Sequence, residues 1–146
     1  CGLALGAQRR GSPQRTVVVL SDGELDEGSI WEAALFAGHQ RLGRLTAVVD
    51  YNKIQSFGSV AEVLNLEPLG AKWAAMNWHV REIDGHDHDQ ISAVLAEGDG
   101  DDDRPCAVIA HTVKGKGVSF MENQLLWHYR SPTDDELAAA LAELDA

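Results

Sequence analysis

Two short segments hold the side chains best suited to chemistry. Ser21-Asp22-Gly23-Glu24 follows one apolar run, and Asp50-Tyr51-Asn52-Lys53-Ile54 follows another. The Asp22 carboxylate and the Asn52 amide oxygen make a hard, oxygen-only donor pair of low charge. Such a pair suits Mg²⁺, which takes one or two protein carboxylates and completes its octahedron with phosphate and water. Gly23 lets the backbone approach a phosphate closely. A helix starting near Gly28 would turn its positive end toward a diphosphate. Taken singly, Asp22-Gly23 reads as a turn and Asn52-Lys53 as a loop. Together, each just beyond a strand, they are a candidate cation site, provided the two strands are near neighbours.

Those strands are the first two of four. The run from Thr16 to Leu20 and the run from Leu45 to Val49 are β-branched and apolar, as in strands buried on both faces of a parallel sheet. His79 to Ile83 and Pro105 to Ala110 read as the third and fourth. Between them the spacing predicts helices. From Ser29 to Leu42, Trp31, Ala34, Leu35, Gly38 and Leu42 share a stripe, with Ser29 and Glu32 spaced as a capping box. Pro68 opens a helix reaching Asn77. Asp87 and Gln90 are placed to cap a helix running to Glu97. Thr133-x-x-Glu136 opens a last, Ala-rich helix. Strand and helix alternate, which predicts an α/β fold, a parallel sheet flanked by helices, as a single domain over residues 1–146.

The 146 residues suffice for one domain with a real core. The net charge of −11, from 23 acids against 12 bases, disfavours nucleic acid and anionic membrane as main partners. No run approaches the ~20 apolar residues of a membrane span, and no signal peptide is visible. Cys1 and Cys106 match no metal or redox spacing and read as reduced thiols of a cytoplasmic protein. The acidic run from Gly98 to Asp103 departs from EF-hand spacing and reads as a solvated loop. No Walker or Gly-x-Gly-x-x-Gly signature is present. The chain opens at Cys1 without Met, in what reads as the middle of a helix, so a preceding segment is expected.

The sequence resembles the N-terminal, cofactor-binding part of transketolases. Their fingerprint is Gly-Asp-Gly followed at a distance by Asn. Here it stands as Ser21-Asp22-Gly23 with 28 residues separating Gly23 from Asn52. The run from Asp22 to Ala34 carries the likeness further, as do Asn65-Leu-Glu-Pro-Leu69, Ile83-Asp-Gly-His-Asp87 and Thr112-Val-Lys-Gly-Lys-Gly-Val-Ser119. The resemblance implies the thiamine-diphosphate-binding fold, with thiamine diphosphate and Mg²⁺ as cofactors. It assigns Mg²⁺ to Asp22, Asn52 and the backbone carbonyl of Ile54. It places Gly23 and Glu24 along the diphosphate and Ile54 near the thiazolium ring. Glu27 and Glu32 match glutamates of an acidic network reaching toward the opposing active site. Read from their position alone, they are first-turn helix glutamates. His128 matches a histidine facing cofactor and substrate, where imidazole suits proton shuttling. His86 and His88 resemble metal ligands by composition, but the family carries Asp-Gly-His-Asp at a strand-to-helix turn, which makes them structural.

The activity implied is transfer of a two-carbon ketol unit from a ketose donor to an aldose acceptor, on sugars or sugar phosphates. The chain's end resembles that of split N-terminal subunits. The pyrimidine-binding domain is therefore expected on a separate C-terminal subunit, in a heterotetramer. Three departures from the family pattern bear on substrate identity. Ser21 replaces a glycine, Ser56-Phe57 stands for an Ile-Asp pair, and Tyr129-Arg130 follows His128 where glycine is usual. Arg130 reads equally as an anion contact or a surface residue. Competing readings are a 2-oxo acid dehydrogenase-like or deoxyxylulose-phosphate synthase-like subunit, and a non-catalytic scaffold of the same fold. The context Trp31-Glu32-Ala33-Ala34 favours transketolase.

Overall fold

The four runs read as strands lie side by side as a parallel sheet. A computed structural model of the chain describes residues 1–96 and 103–145. In chain order the elements are α1 (Gly2–Arg9), β1 (Thr16–Ser21), α2 (Gly28–His39), β2 (Leu45–Tyr51), β3 (Ile54–Gln55), β4 (Gly58–Ser59), α3 (Val60–Val63), α4 (Leu69–Ala75), β5 (His79–Asp84), α5 (His88–Ala96), β6 (Cys106–His111) and α6 (Asp134–Leu144). Single 3-10 turns occupy Gly23–Asp26 and Leu125–His128. The acidic run lies outside the described residues apart from Asp103, which is exposed. No helix among the described residues is long and apolar enough to cross a membrane.

The sheet order is β1-β2-β6-β5, all parallel, and β3 with β4 forms a separate antiparallel pair. The register sets Ser21 beside Asp50, Tyr51 beside His111 and Asp84 beside His111. All four carboxyl ends therefore open on one edge, where ligands of parallel sheets bind.

Burial follows position in the sheet. The central strands β2 and β6 are almost wholly buried, as expected. The expectation of two buried faces fails for β1. Leu20 is buried, but Val17 and Val19 are 50% and 69% exposed. Among the described residues β1 pairs only with β2, and no helix covers the face that carries Val17 and Val19. The core joins Leu20, Val49 and Ile109 of the sheet to Leu25, Trp73 and Trp78. Trp73 meets Trp78 edge to face at 4.7 Å, and the Trp78 indole donates to the Ala34 carbonyl at 2.9 Å. That geometry adds to the burial of the two large rings.

Helix starts match in part. Thr133 and Glu136 close a reciprocal capping box at α6. Asp87 accepts from the backbone amides of Asp89 and Gln90 at 2.9 and 3.1 Å. The box expected at Ser29 is absent, because α2 starts at Gly28 and Ser29 already lies in its first turn. Pro68 sits at the cap of α4, one residue before the helix, and the Glu67 carboxylate accepts from the Leu69 amide at 3.0 Å. On α2 the buried stripe is Ala34, Ala37 and Gly38. Leu35 is 58% exposed and belongs to the outer face.

The last turn of α2 crosses the loop after α4 so closely that a Cβ on Gly38 would stand 1.9 Å from the Met76 carbonyl oxygen. Backbone cannot swing aside as a side chain does. Gly38→Ala is expected to lower unfolding free energy by about 1–3 kcal/mol, as overpacked core sites do. Urea titration of both proteins measures the difference.

Candidate functional site

The site begins where β1 ends. Asp22 is 2% exposed at the start of the Gly23–Asp26 turn. Its Oδ1 accepts from its neighbour Gly23 N–H at 2.7 Å, and its Oδ2 accepts from Lys53 N–H at 2.6 Å. The second bond ties the tip of β1 to the tip of β2. It holds the Asp22 carboxylate against the Asn52-Lys53 turn. Within that turn, the Asn52 side-chain oxygen accepts from Ile54 N–H at 3.0 Å. Lys53 takes a left-handed φ of 68°. For a non-glycine residue this conformation costs about 1–3 kcal/mol. Two bonds offset it: the amide to Asp22, and the Lys53 carbonyl accepting from Val60 N–H at 3.0 Å.

Electrostatics make this carboxylate uneasy when charged. Burial pushes the Asp22 carboxyl above the usual range; the amides of Lys53 and Gly23 oppose that shift, and Asp50 and Asp26 add to it. A nearby cation would relieve all the unfavourable contributions at once. The donors are hard oxygens, so the residues present fit a small hard cation. Among the described residues no group of three or more His, Cys, Asp or Glu could hold a metal. A cation here would therefore draw on amide, carbonyl and phosphate oxygens besides Asp22.

Neighbouring groups brace the turns. Ser21 Oγ accepts from Glu24 N–H at 3.1 Å, while the Glu24 carboxylate accepts from Ser21 N–H at 3.3 Å. The serine in the place of a glycine thus closes the turn rather than crowding it. The Tyr51 hydroxyl donates to Glu67 at 2.8 Å. Burial, then Glu67, pushes that phenol upward, and the Leu69 amide holds the Glu67 carboxyl low. Thr112 donates its hydroxyl to Asp50. His111 meets Glu82 at 3.0 Å.

The remaining candidates lie at the surface. Glu27 occupies the cap position of α2 without a side-chain cap bond, and Glu32 is exposed on the same helix. Glu27 N–H donates to the Glu24 carbonyl at 3.1 Å, but neither carboxylate bonds the Asp22 side chain. His128 ends the Leu125–His128 turn, exposed, with its ring 5.4 Å from that of Tyr129. This turn packs against β3, which carries the chain on from Asn52. Arg130 is committed elsewhere: it lies over the Trp127 ring at 4.5 Å and pairs with Glu136. His86 accepts from Val113 N–H at 2.7 Å, a structural bond at the strand-to-helix turn. In the glycine-rich loop, Lys116 lies 3.6 Å from Glu122. Phe57 stands at the tip of the β3–β4 hairpin, 87% exposed.

Sequence reasoning passed over Lys53, Gln55 and the Asp50–Thr112 bond. A residue after Asn at a strand end is a modest cue for a left-handed turn. The other two depend on contacts across the sheet edge, for which one sequence carries no signal.

Residues 9–144 match the family described as transketolase, thiamine diphosphate binding domain. The 6-deoxy-6-sulfo-D-fructose transketolase subunit SqwG of Clostridium sp. (strain MSTE9) is 44% identical over 144 residues, covering 99% of this chain and 52% of the relative. An apulose-4-phosphate transketolase subunit of Actinobacillus succinogenes is 41% identical over 143 residues, covering 98% and 51%. Among solved structures, transketolase from Campylobacter jejuni superposes with a TM-score of 0.91 at 25% identity, over 99% of this chain and 24% of that one. The chain spans about half the length of the curated relatives it matches.

The segment bearing His128 is pinned by Glu136, whose carboxyl is held down to about 2, first by Arg130 and then by the Thr133 amide. A depressed carboxyl stabilises the fold above its unfolded value and loses that contribution as pH falls through the folded one. The stability difference between the native chain and Glu136→Gln is expected to be full above pH 4.5 and to vanish toward about 2. Thermal melts across that range give the curve; a difference independent of pH would contradict the pinning.

Proposed function

Since the chain belongs to the transketolase family, in its thiamine-diphosphate-binding domain, we propose that it is the cofactor-holding subunit of a split transketolase. The enzyme moves a two-carbon ketol unit from a ketose donor to an aldose acceptor, on sugars or sugar phosphates. A separate subunit with the pyrimidine-binding domain completes it, in a heterotetramer with two copies of each chain. Two similar proteins are themselves named as transketolase subunits, which supports this division. The assembly works in the cytoplasm, where Cys1 and Cys106 stay reduced.

The observation carrying this reading is the buried Asp22 carboxylate bonded across two strand tips to the Asn52-Lys53 turn. Asp22, Asn52 and the Ile54 carbonyl would hold Mg²⁺. Gly23 and Glu24 would lie along the diphosphate, and Ile54 against the thiazolium ring. When bound, thiamine diphosphate supplies the nucleophilic carbon that accepts and releases the two-carbon unit. This chain's residues anchor and position it, beside the separate subunit's pyrimidine-binding domain. The pinned Asn52-Lys53 turn fixes the ion, and with it the cofactor's position, before substrate arrives. His128, an exposed imidazole, gives and takes protons at the substrate's oxygen atoms. Glu27 and Glu32, at the start of α2, carry an acidic network toward the second active site.

Titration calorimetry on the chain with its copurifying subunit tests the site. The native complex is expected to bind thiamine diphosphate with Mg²⁺, and Asp22→Ala to weaken that binding about 100-fold, the scale of a lost contact to a charged group. Unchanged binding would return the scaffold reading to the front.

A two-carbon transfer assay between ketose and aldose tests the chemistry, with oxo-acid decarboxylation as the alternative outcome. His128→Ala is expected to lower kcat about 100-fold or more, as loss of a general acid–base group does, while cofactor affinity stays near native.

A further inference from the structure

Gln55 ends β3, only 5% exposed, directly beside the candidate site. Its Cβ, Cγ and Cδ lie 3.6, 3.8 and 3.9 Å from where a Cβ on Gly23 would stand. The side chain thus runs along the glycine that follows Asp22. Its Nε2 is buried and has no hydrogen-bond partner among the described residues. Such an orphan costs about 1–3 kcal/mol, and folded proteins keep few of them. Leucine, of similar size, would fill the position without that cost. An amide kept here at a loss to stability has the mark of a group reserved for a ligand.

No acceptor among the described residues bonds it. The two Asp22 oxygens are engaged by the amides of Gly23 and Lys53, and the Glu24 carboxylate turns back to Ser21. An anion laid here, conversely, needs donors, because the charges that bear on Asp22 are those of the acids Asp50 and Asp26. An incoming phosphate oxygen would satisfy both needs.

Building on the reading of the site given above, we infer that Gln55 is a diphosphate-binding residue: its side-chain amide donates to a phosphate oxygen laid along Gly23. It shares with Mg²⁺ the task of holding an anion among carboxylates. The metal supplies charge, and Gln55 supplies a directional donor that selects phosphate oxygen over water.

The test uses the full chain in complex with its copurifying subunit. Titrants are inorganic pyrophosphate with Mg²⁺, and thiamine diphosphate with Mg²⁺. Ligand-free melting is recorded for every variant. Gln55→Leu is expected to melt at or above the native temperature and to bind Mg²⁺–pyrophosphate about 10- to 100-fold more weakly, the range of a hydrogen bond to a charged group. Gln55→Glu, nearly isosteric, is expected to lose more, because a carboxylate faces the phosphate in place of a donor. Native-like pyrophosphate affinity in either variant overturns the inference. So does a Gln55→Leu melting point that falls in step with affinity, which would make Gln55 a packing residue. If Gln55→Leu does not fold, Gln55→Glu decides alone. A native complex that takes up no thiamine diphosphate with Mg²⁺ refutes the underlying site; a native complex that binds while both variants match it refutes only the role of Gln55.

Discussion

One hydrogen bond organises the site: Lys53 N–H to the Asp22 carboxylate, spanning the tips of β1 and β2. It is charge-assisted and buried, so it is among the stronger contacts the chain makes. It fixes a left-handed residue between Asn52 and Ile54, and so sets where both neighbours present their oxygens. Burial and neighbouring acids raise the cost of the charge that makes the bond strong. Stability and charge are thus opposed at a single carboxylate.

That bond exists only because the sheet brings its ends together. Parallel pairing sets Ser21 beside Asp50 and leaves all four carboxyl ends on one edge. The register is held from behind by Trp73, Trp78 and Leu25, packed on Leu20, Val49 and Ile109. The Trp31 indole donates to the Leu25 carbonyl at 2.7 Å, which locks the turn after Asp22 to α2. Core and site are therefore one construction. The turn that presents Asp22 contributes Leu25, fully buried, to the same cluster.

Bracing spreads outward from the site by side chains that bond backbone. Ser21 with Glu24, Glu67 with Leu69, and Thr133 with Glu136 each satisfy amides that a turn or helix start leaves unpaired. Gln55 departs from this pattern: with Thr16 Oγ1 and Trp73 Nε1, its Nε2 is among the buried polar atoms that have no partner among the described residues.

Much was legible in the residues. Four strand-like runs and the helices between them predicted a parallel α/β sheet, and its carboxyl edge is where Asp22 and Asn52 lie. Local signals succeeded where the physics is local: the box at Thr133 and the cap at Asp87. They failed where neighbours decide. Val17 and Val19 are apolar yet exposed because no described helix covers their face of β1, and Leu35 faces outward because Ala37 packs in its stead. Composition and spacing alone determined the element order and set Asp22 and Asn52 just beyond two strand ends. Only the folded chain decided that Asp22 reaches across to Lys53, that Lys53 turns left-handed, and that Gln55 is buried with its nitrogen unpartnered. Those facts arise from contacts between residues some thirty positions apart, whose energies depend on register and desolvation rather than on any residue's own preference.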